Sequence, residues 1–407
     1  MAEIRSSDGW NNAARIVTIG LMSQTVPPIV NDRFALRLAL FYAAFFAAAG
    51  LYLPFFPVWL SAKGLDAAAI GIVLGVPQFL RVAAIPAGTR LADRCGALKG
   101  ALGVASLATL AGLLLVAAAD GFLPILGALA LMTVFSAPVL PLGDAYALSG
   151  LAARGLSYGP VRLWGSVAFM AANLGGGLLL ASLAPADLIW PIFMCYGAVA
   201  VSALALAPLR ETPPVNVRAG SATLRDPAFL AVMAAASLTQ ASHAVYYGFS
   251  TLAWSAQGLS GGAIGALWAL GVAAEIVLFA FAARLSALAP TSLIALGAAG
   301  ALLRWGAMAF DPPAVLLPAL QILHALSFGA THLGTMAYLA KAAPEGSRAA
   351  AQGDVATASG IAMALATALA GWLYQSYGGA AYAAMAGLAV LGGACALLAA
   401  RARRSTP

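Results

Sequence analysis

Apolar residues run along this chain in blocks of about twenty or more, the length that crosses ~30 Å of hydrocarbon as a helix. Short polar turns separate the blocks. The pattern predicts spans at residues 36–60, 67–91, 100–119, 122–149, 161–183 and 188–209, then at 228–256, 263–285, 292–310, 314–341, 349–374 and 380–400. The intervening stretch 210–227 carries Pro213, Pro214 and three arginines and reads as a cytoplasmic linker. The expected organisation is a cytoplasmic extension (1–35), a six-helix bundle (36–209), the linker (210–227), a second six-helix bundle (228–400) and a cytoplasmic tail (401–407). The extension lacks a basic run followed by an unbroken apolar core, so it does not read as a signal peptide. Two six-span halves repeat at an offset of roughly 190 residues, a plan that puts a solute site between the repeats near mid-membrane. The expected fold class is an all-α membrane protein of twelve transmembrane helices in two pseudo-symmetric bundles.

Composition and charge sharpen this picture. Hydrophobic residues make up 62% of the chain and charged residues 9%, with a mean hydropathy of +0.92. A soluble domain carries about a quarter charged residues. The net charge of +7 does not call for nucleic acid, because topology accounts for it. With the N-terminus inside, one side receives Arg90, Arg94, Lys99, Arg154, Arg218, Arg284, Lys341, Arg348 and Arg401, among others, and the other only Lys63. The positive-inside rule then places both termini in the cytoplasm. Abundant alanine, glycine and arginine are typical of a GC-rich bacterial genome, so the expected location is a bacterial inner membrane. Cys95, Cys195 and Cys395 have neither metal-ligand nor disulfide-framework spacing.

Polar residues deep inside the spans carry the candidate chemistry: Arg81, Asp144, Arg162, His243, Glu275, Arg304, His324 and His332. Each charge costs ~2.5–3.5 kcal/mol at mid-membrane unless it is paired or hydrated. Residues equidistant from a hairpin turn lie at equal depth. Asp144 and Arg162 are centred on Ala153, which predicts an ion pair. Glu275 and Arg304 are centred on the turn at 289–290, and Arg304 and His324 on Ala314. Glu275, Arg304 and His324 should therefore share one layer. On an ideal helix His324 and His332 lie ~12 Å apart along the axis and ~80° apart around it. Gln321, His324 and Phe328 follow an i, i+3, i+7 spacing and should share a face. Arg81 lies ~18 Å from Asp93 along its helix, too far to snorkel easily. Three buried arginines against two carboxylates leave one positive charge, which an anionic solute would balance. His243, Tyr246 and Tyr247 fall on one face, and with Trp164, Trp254, Trp268, Trp305 and Phe328 they offer surface on which a ring could stack. Packing alone also accounts for such aromatics, as structural struts account for ion pairs. Pro138 and Pro141, just before Asp144, predict a broken helix.

Four stretches resemble the major facilitator superfamily: LYLPFFPVWL (51–60), DRCG (93–96), YGPVRLWGS (158–166) and LQILHALSFGATHL (320–333). Within it the chain is similar to phenylpropionate permease-like proteins and, more distantly, to lactose permease-like proteins. The buried charges and aromatic faces make Arg81, Trp164, His243, Tyr247 and Arg304 candidate substrate contacts, and the resemblance implies Asp144 and Arg162. It implies proton coupling through Glu275, Arg304, His324 and His332, and a gating motif at Asp93, Arg94 and Gly96. The expected protein is a monomer with no metal or cofactor. Ser327 stands where lactose permease-like chains carry the proton-binding glutamate, Gln321 where they carry lysine, and Thr89 where the superfamily carries glycine. With Ser327 there, Glu275 is the best remaining proton carrier, with His324 as a relay.

The leading functional expectation is a proton symporter of a small organic solute, an aromatic or other carboxylic acid. A sugar, nucleoside or drug transporter is the alternative. An intramembrane enzyme is remote, since no H-x-x-x-H face occurs. A channel lacks a ring of repeated filter residues.

Overall fold

The computed structural model describes residues 32–209, 224, 226–342 and 348–404. Most of the expected extension, most of the linker and the last residues of the tail lie outside them. Among the described residues, eleven helical stretches are long and apolar enough to cross a membrane. The eleventh, Ala350–Ala402, has 53 residues, where one crossing needs about twenty. It resolves into Arg348–Tyr377 and Tyr382–Arg404, which are joined by a 3-10 turn whose Gly378 has φ 56°. The described residues therefore hold twelve spans, in order Arg33–Ala62, Ala67–Cys95, Leu98–Ala118, Phe122–Ala152, Tyr158–Ser182, Pro185–Leu204, Pro227–Ala256, Gly261–Ala280, Pro290–Met308, Ala314–Ala342 and these two.

Local chemistry sets the helix ends and breaks. Asp32, Asp66 and Asp226 cap the first, second and seventh spans by accepting backbone N–H groups at 2.7–2.9 Å. Gly96 ends the second with φ 62°, the conformation that the glycine of the DRCG run supplies without strain. The fourth span breaks at Pro138, between Phe122–Ser136 and Val139–Ala152, as its prolines predict. The seventh breaks at His243, between Pro227–Ala241 and Ala244–Ala256, with no proline at the break. The tenth passes through a π-helical turn, Ala325–Ala330.

Loop contacts identify the two ends of the bundle. Lys63 pairs with Asp120 at 2.6 Å, Gln375 accepts from the Ala68 N–H at 2.9 Å, and the Asp311 carboxylate rests against Gly379. The loops after the first, third, ninth and eleventh spans thus lie together. At this Lys63 end the two halves meet through two crossings of bare backbone. An ideal Cβ on Gly71 would stand 2.6 Å from Gly371 Cα, and one on Gly177 would stand 2.9 Å from Gly265 Cα and clash with the Gly261 carbonyl. Past its break, the seventh span packs on the first and the eleventh; before it, on the eleventh and twelfth. The halves are therefore closed against each other at the Lys63 end.

Asn173 lies in the second crossing. It is 0% exposed, and neither its Nδ2 nor its Oδ1 has a hydrogen-bond partner. A buried unsatisfied amide costs about 1–3 kcal/mol. Any state that opens this end admits water to it, so the penalty falls on the closed state alone. Asn173→Ala is expected to shift the balance toward the closed state by roughly 5- to 150-fold, at 1.4 kcal/mol per decade. Spin-label distances between cysteines placed at Gly64 and Gln257 would report this as a loss of the longer population.

Candidate functional site

A cavity of ≈ 520 Å³ lies between the halves, within the ~300–1,000 Å³ range of small-molecule sites. On the N-terminal side it is walled by Phe46 and Leu53 of the first span and by Arg162, Ser166 and Phe169 of the fifth. Tyr246, Tyr247, Trp268, Glu275, His324, Phe328 and His332 face them from the C-terminal half. Arg162 is half-buried, with its guanidinium carbon 3.8 Å from the centre of the Phe46 ring and 5.5 Å from that of Tyr42. It folds back over its own helix: a Cβ on Gly165 would lie 2.8 Å from Arg162 Nη1 and 2.6 Å from Phe46. The glycine of the WGS run is thus the space in which the guanidinium and the ring sit.

Asp144 and Arg162 do not form the expected ion pair in this state. Asp144 instead accepts from the hydroxyls of Tyr42 at 2.6 Å and Tyr158 at 2.9 Å. Equal distance from a turn fixes depth but not rotation about the helix, and the two side chains meet Tyr42 differently, Asp144 at its hydroxyl and Arg162 over its ring. Asp144 does not line the cavity, so it acts on Arg162 through Tyr42. Trp164, two positions beyond Arg162, is turned some 200° away. It is 50% exposed and absent from the cavity wall, on the outer face with Leu163 and Val167.

The C-terminal layer forms as expected from the turn centres, with a different wiring. Arg304 is 0% exposed and does not reach the cavity. Its Nη2 donates to Gln321 Oε1 at 2.7 Å, and its Nη1 meets His324 Nδ1 at 3.0 Å. The guanidinium also lies over the rings of Tyr246 and Trp305. Guanidinium only donates, so His324 Nδ1 is the acceptor and the ring proton sits on Nε2. That nitrogen is 3.8 Å from Glu275 Oε2. Glu275 and Arg304 thus share a layer without pairing, because His324 stands between them. Gln321 also accepts from the Tyr246 hydroxyl at 3.0 Å. It faces the buried cluster and does not share the cavity face with His324 and Phe328.

His243 lies behind the wall and is 0% exposed. Its Nδ1 faces the carbonyls of Thr239 at 3.3 Å and Gln240 at 3.1 Å, the last turn before the break. Carbonyls only accept, so the proton is on Nδ1, and Nε2 accepts from Ser327 Oγ at 3.0 Å. Ser327 therefore locks the seventh span to the tenth. His243 does not touch the cavity, and the expected solute contact there gives way to this support role. Trp254 and Trp305 are also fully buried, whereas Trp268 and Phe328 do line the wall.

The π-helical turn corrects the expected geometry of the histidines. Bonding from i to i+5 puts an extra residue in the turn, so positions four apart come into line. His324 stacks on Phe328 (5.4 Å, 21°), and Phe328 on His332 (6.3 Å, 11°). Both histidines therefore line the cavity despite the ~80° of an ideal helix.

Arg81 is exposed within the second span, lines a small recess with Ser106, Thr109 and Tyr196, and joins neither ion pair found among the described residues. It does not line the main cavity. Asp93 and Arg94 are exposed at the far end of the same helix and likewise join neither pair.

The sequence profile of the MFS_1 like family matches residues 35–384. The chain belongs to this family. It is 32% identical over 363 residues to the probable 3-phenylpropionic acid transporter of Escherichia coli, a match that covers 86% of this chain and 93% of the other. It is 32% identical over 189 residues to the maltose permease of Geobacillus stearothermophilus, covering 46% of each. Among solved structures, the nucleoside transporter NupG superposes with a TM-score of 0.78 at 16% identity, over 90% of this chain and 99% of that one. A bacterial homolog of the human lysosomal transporter Spinster does so at 0.70 and 14%, over 92% and 98%. The likeness to these structures establishes the major facilitator fold. The chain is a transporter of small molecules, a multi-pass membrane protein and not an enzyme.

Proposed function

We propose that the chain is a proton-coupled symporter of small aromatic carboxylates, working as a monomer by alternating access in the bacterial inner membrane. The observation that carries this reading is the charge layout of the cavity. Arg162 on one half and Glu275 on the other face the same space, between aromatic walls, with no ion pair between them. The 3-phenylpropionic acid named for the Escherichia coli relative fits such a slot. The arginine-rich loops support cytoplasmic termini, which makes the Lys63 end periplasmic and the described state closed to the periplasm.

Coupling follows from electrostatics. A solute carboxylate on Arg162 is repelled by an ionised Glu275, by about 2 kcal/mol for charges ~8 Å apart at an effective dielectric of ~20. Protonating Glu275 removes the repulsion, so proton and solute each favour the binding of the other. His324 cannot take a second proton while Arg304 occupies its Nδ1. This makes Glu275 the carrier and His324 a neutral neighbour that presents Nε2–H. His332, which has no hydrogen bond to a described residue, remains open to the solute.

Uptake of labelled 3-phenylpropionate into proteoliposomes under an inward proton gradient tests the reading. Saturable accumulation that collapses with a protonophore is expected. Arg162→Gln removes a charge-assisted contact worth about 2–3 kcal/mol and should raise the half-saturation concentration roughly 30- to 150-fold. A nucleoside or maltose brings no carboxylate to Arg162. Stronger competition from uridine or maltose than from phenylpropionate, with no effect of Arg162→Gln, would replace the carboxylate reading with one of theirs.

A further inference from the structure

The proposed carboxylate occupies Arg162, yet the opposite end of the cavity is polar as well. Glu275 projects there with its side chain 18% exposed, and His324 Nε2 is 3.8 Å away, beyond hydrogen-bond distance. The carboxyl group accepts no hydrogen bond from a described residue. His332 lines the same end, held between Phe328 and the edge of Phe279, and neither of its ring nitrogens makes a hydrogen bond to a described residue. Behind the wall, Arg304 and Tyr246 bond Gln321, Arg304 also meets His324, and His243 bonds Ser327. Two untied polar groups at one end of an otherwise aromatic slot mark a second point of recognition.

We propose that the solute is a ring-hydroxylated aromatic carboxylate, its carboxylate on Arg162 and its ring hydroxyl on Glu275 and His332. This rests on the aromatic-carboxylate reading above. A hydroxyl is the group that suits the coupling chemistry. It donates to Glu275 when that group is ionised and accepts from it when protonated, and it can pair with either nitrogen of His332. An ammonium group would instead demand an ionised Glu275 and would oppose proton loading. An unsubstituted ring would cover both polar groups without pairing them, at a cost of the order that buried unsatisfied groups carry.

The test is equilibrium binding to the full-length protein in nanodiscs. The probes are 3-phenylpropionate, its ortho-, meta- and para-hydroxy derivatives, and the para-methoxy derivative. At least one hydroxylated probe is expected to bind tenfold or more tighter than 3-phenylpropionate, and the methoxy probe, which cannot donate, to lose that advantage. His332→Phe keeps the stacking on Phe328 and should reduce the preference for the hydroxylated probe over 3-phenylpropionate to below threefold. Equal affinities across the series would overturn the hydroxyl assignment and leave the carboxylate reading standing. Failure of every probe to bind, or binding insensitive to Arg162→Gln, would overturn the carboxylate reading itself.

Discussion

Glu275→Gln is expected to abolish pH-driven accumulation while solute exchange across the membrane persists. One proton per solute and one pH unit of gradient, worth 1.36 kcal/mol, support about tenfold accumulation. The variant should fall to a ratio of about one. Glutamine keeps the shape and hydrogen-bonding reach of the side chain, so His324 and Gly329, which lie against it, retain their packing. Loss of binding as well as accumulation would indicate collapse of the site, and thermal denaturation of the purified variant separates the two. Accumulation that survives in a folded Glu275→Gln protein would exclude Glu275 as carrier. His332 would then be the first group to examine, since it lines the cavity with neither ring nitrogen hydrogen-bonded to a described residue.

Gly71→Val should have an effect as large through geometry alone. A Cβ there would meet Gly371 Cα at 2.6 Å, Gly371 N at 2.7 Å and the Thr367 carbonyl at 3.0 Å. All three are backbone atoms of the eleventh span, so no rotamer change relieves the overlap. Overpacking of this kind costs on the order of 3 kcal/mol or more, enough for a shift of roughly a hundredfold in a two-state balance. The clash exists only when the Lys63 ends of the halves touch. The protein should fold, open permanently at that end and bind solute there, and its net transport should drop by two orders of magnitude. Labelling, from the Lys63 side, of a cysteine placed at Leu53 in the cavity wall would rise with it. Normal transport by Gly71→Val would mean that the crossing does not tighten during the cycle.

Much of this was legible in the chain. Block length and the one-sided arginines defined the spans, and reflection about the hairpin turns placed Glu275, Arg304 and His324 in one layer. What stayed hidden is rotation about each helix axis and anything that alters helical pitch. Depth alone paired Asp144 with Arg162, yet Tyr42 lies between their chemistries, supplied by the first span from a hundred residues away. The π-helical turn at 325–330 moved His332 onto the cavity face, and no residue in ALSFGA announces it. Trp164 was readable as outward-facing from its two-residue offset to Arg162, had Arg162 been taken as the inward marker. Phe46 and Gly165 carry no polar signal, and only the packed structure shows that they hold the guanidinium.

The cavity wall contains one arginine, Arg162, and one carboxylate, Glu275, and His324 stays neutral while Arg304 occupies its Nδ1. Under the proposed cycle the empty carrier reorients with both groups ionised, and the site has no net charge. The loaded carrier reorients with Glu275 protonated and a monoanion on Arg162, and again the site has none. A charge that crosses the membrane field gains or loses about 2.3 kcal/mol per 100 mV. Neither reorientation moves one. The membrane voltage therefore contributes nothing to the driving force, and the pH difference alone sets how far the solute can be concentrated.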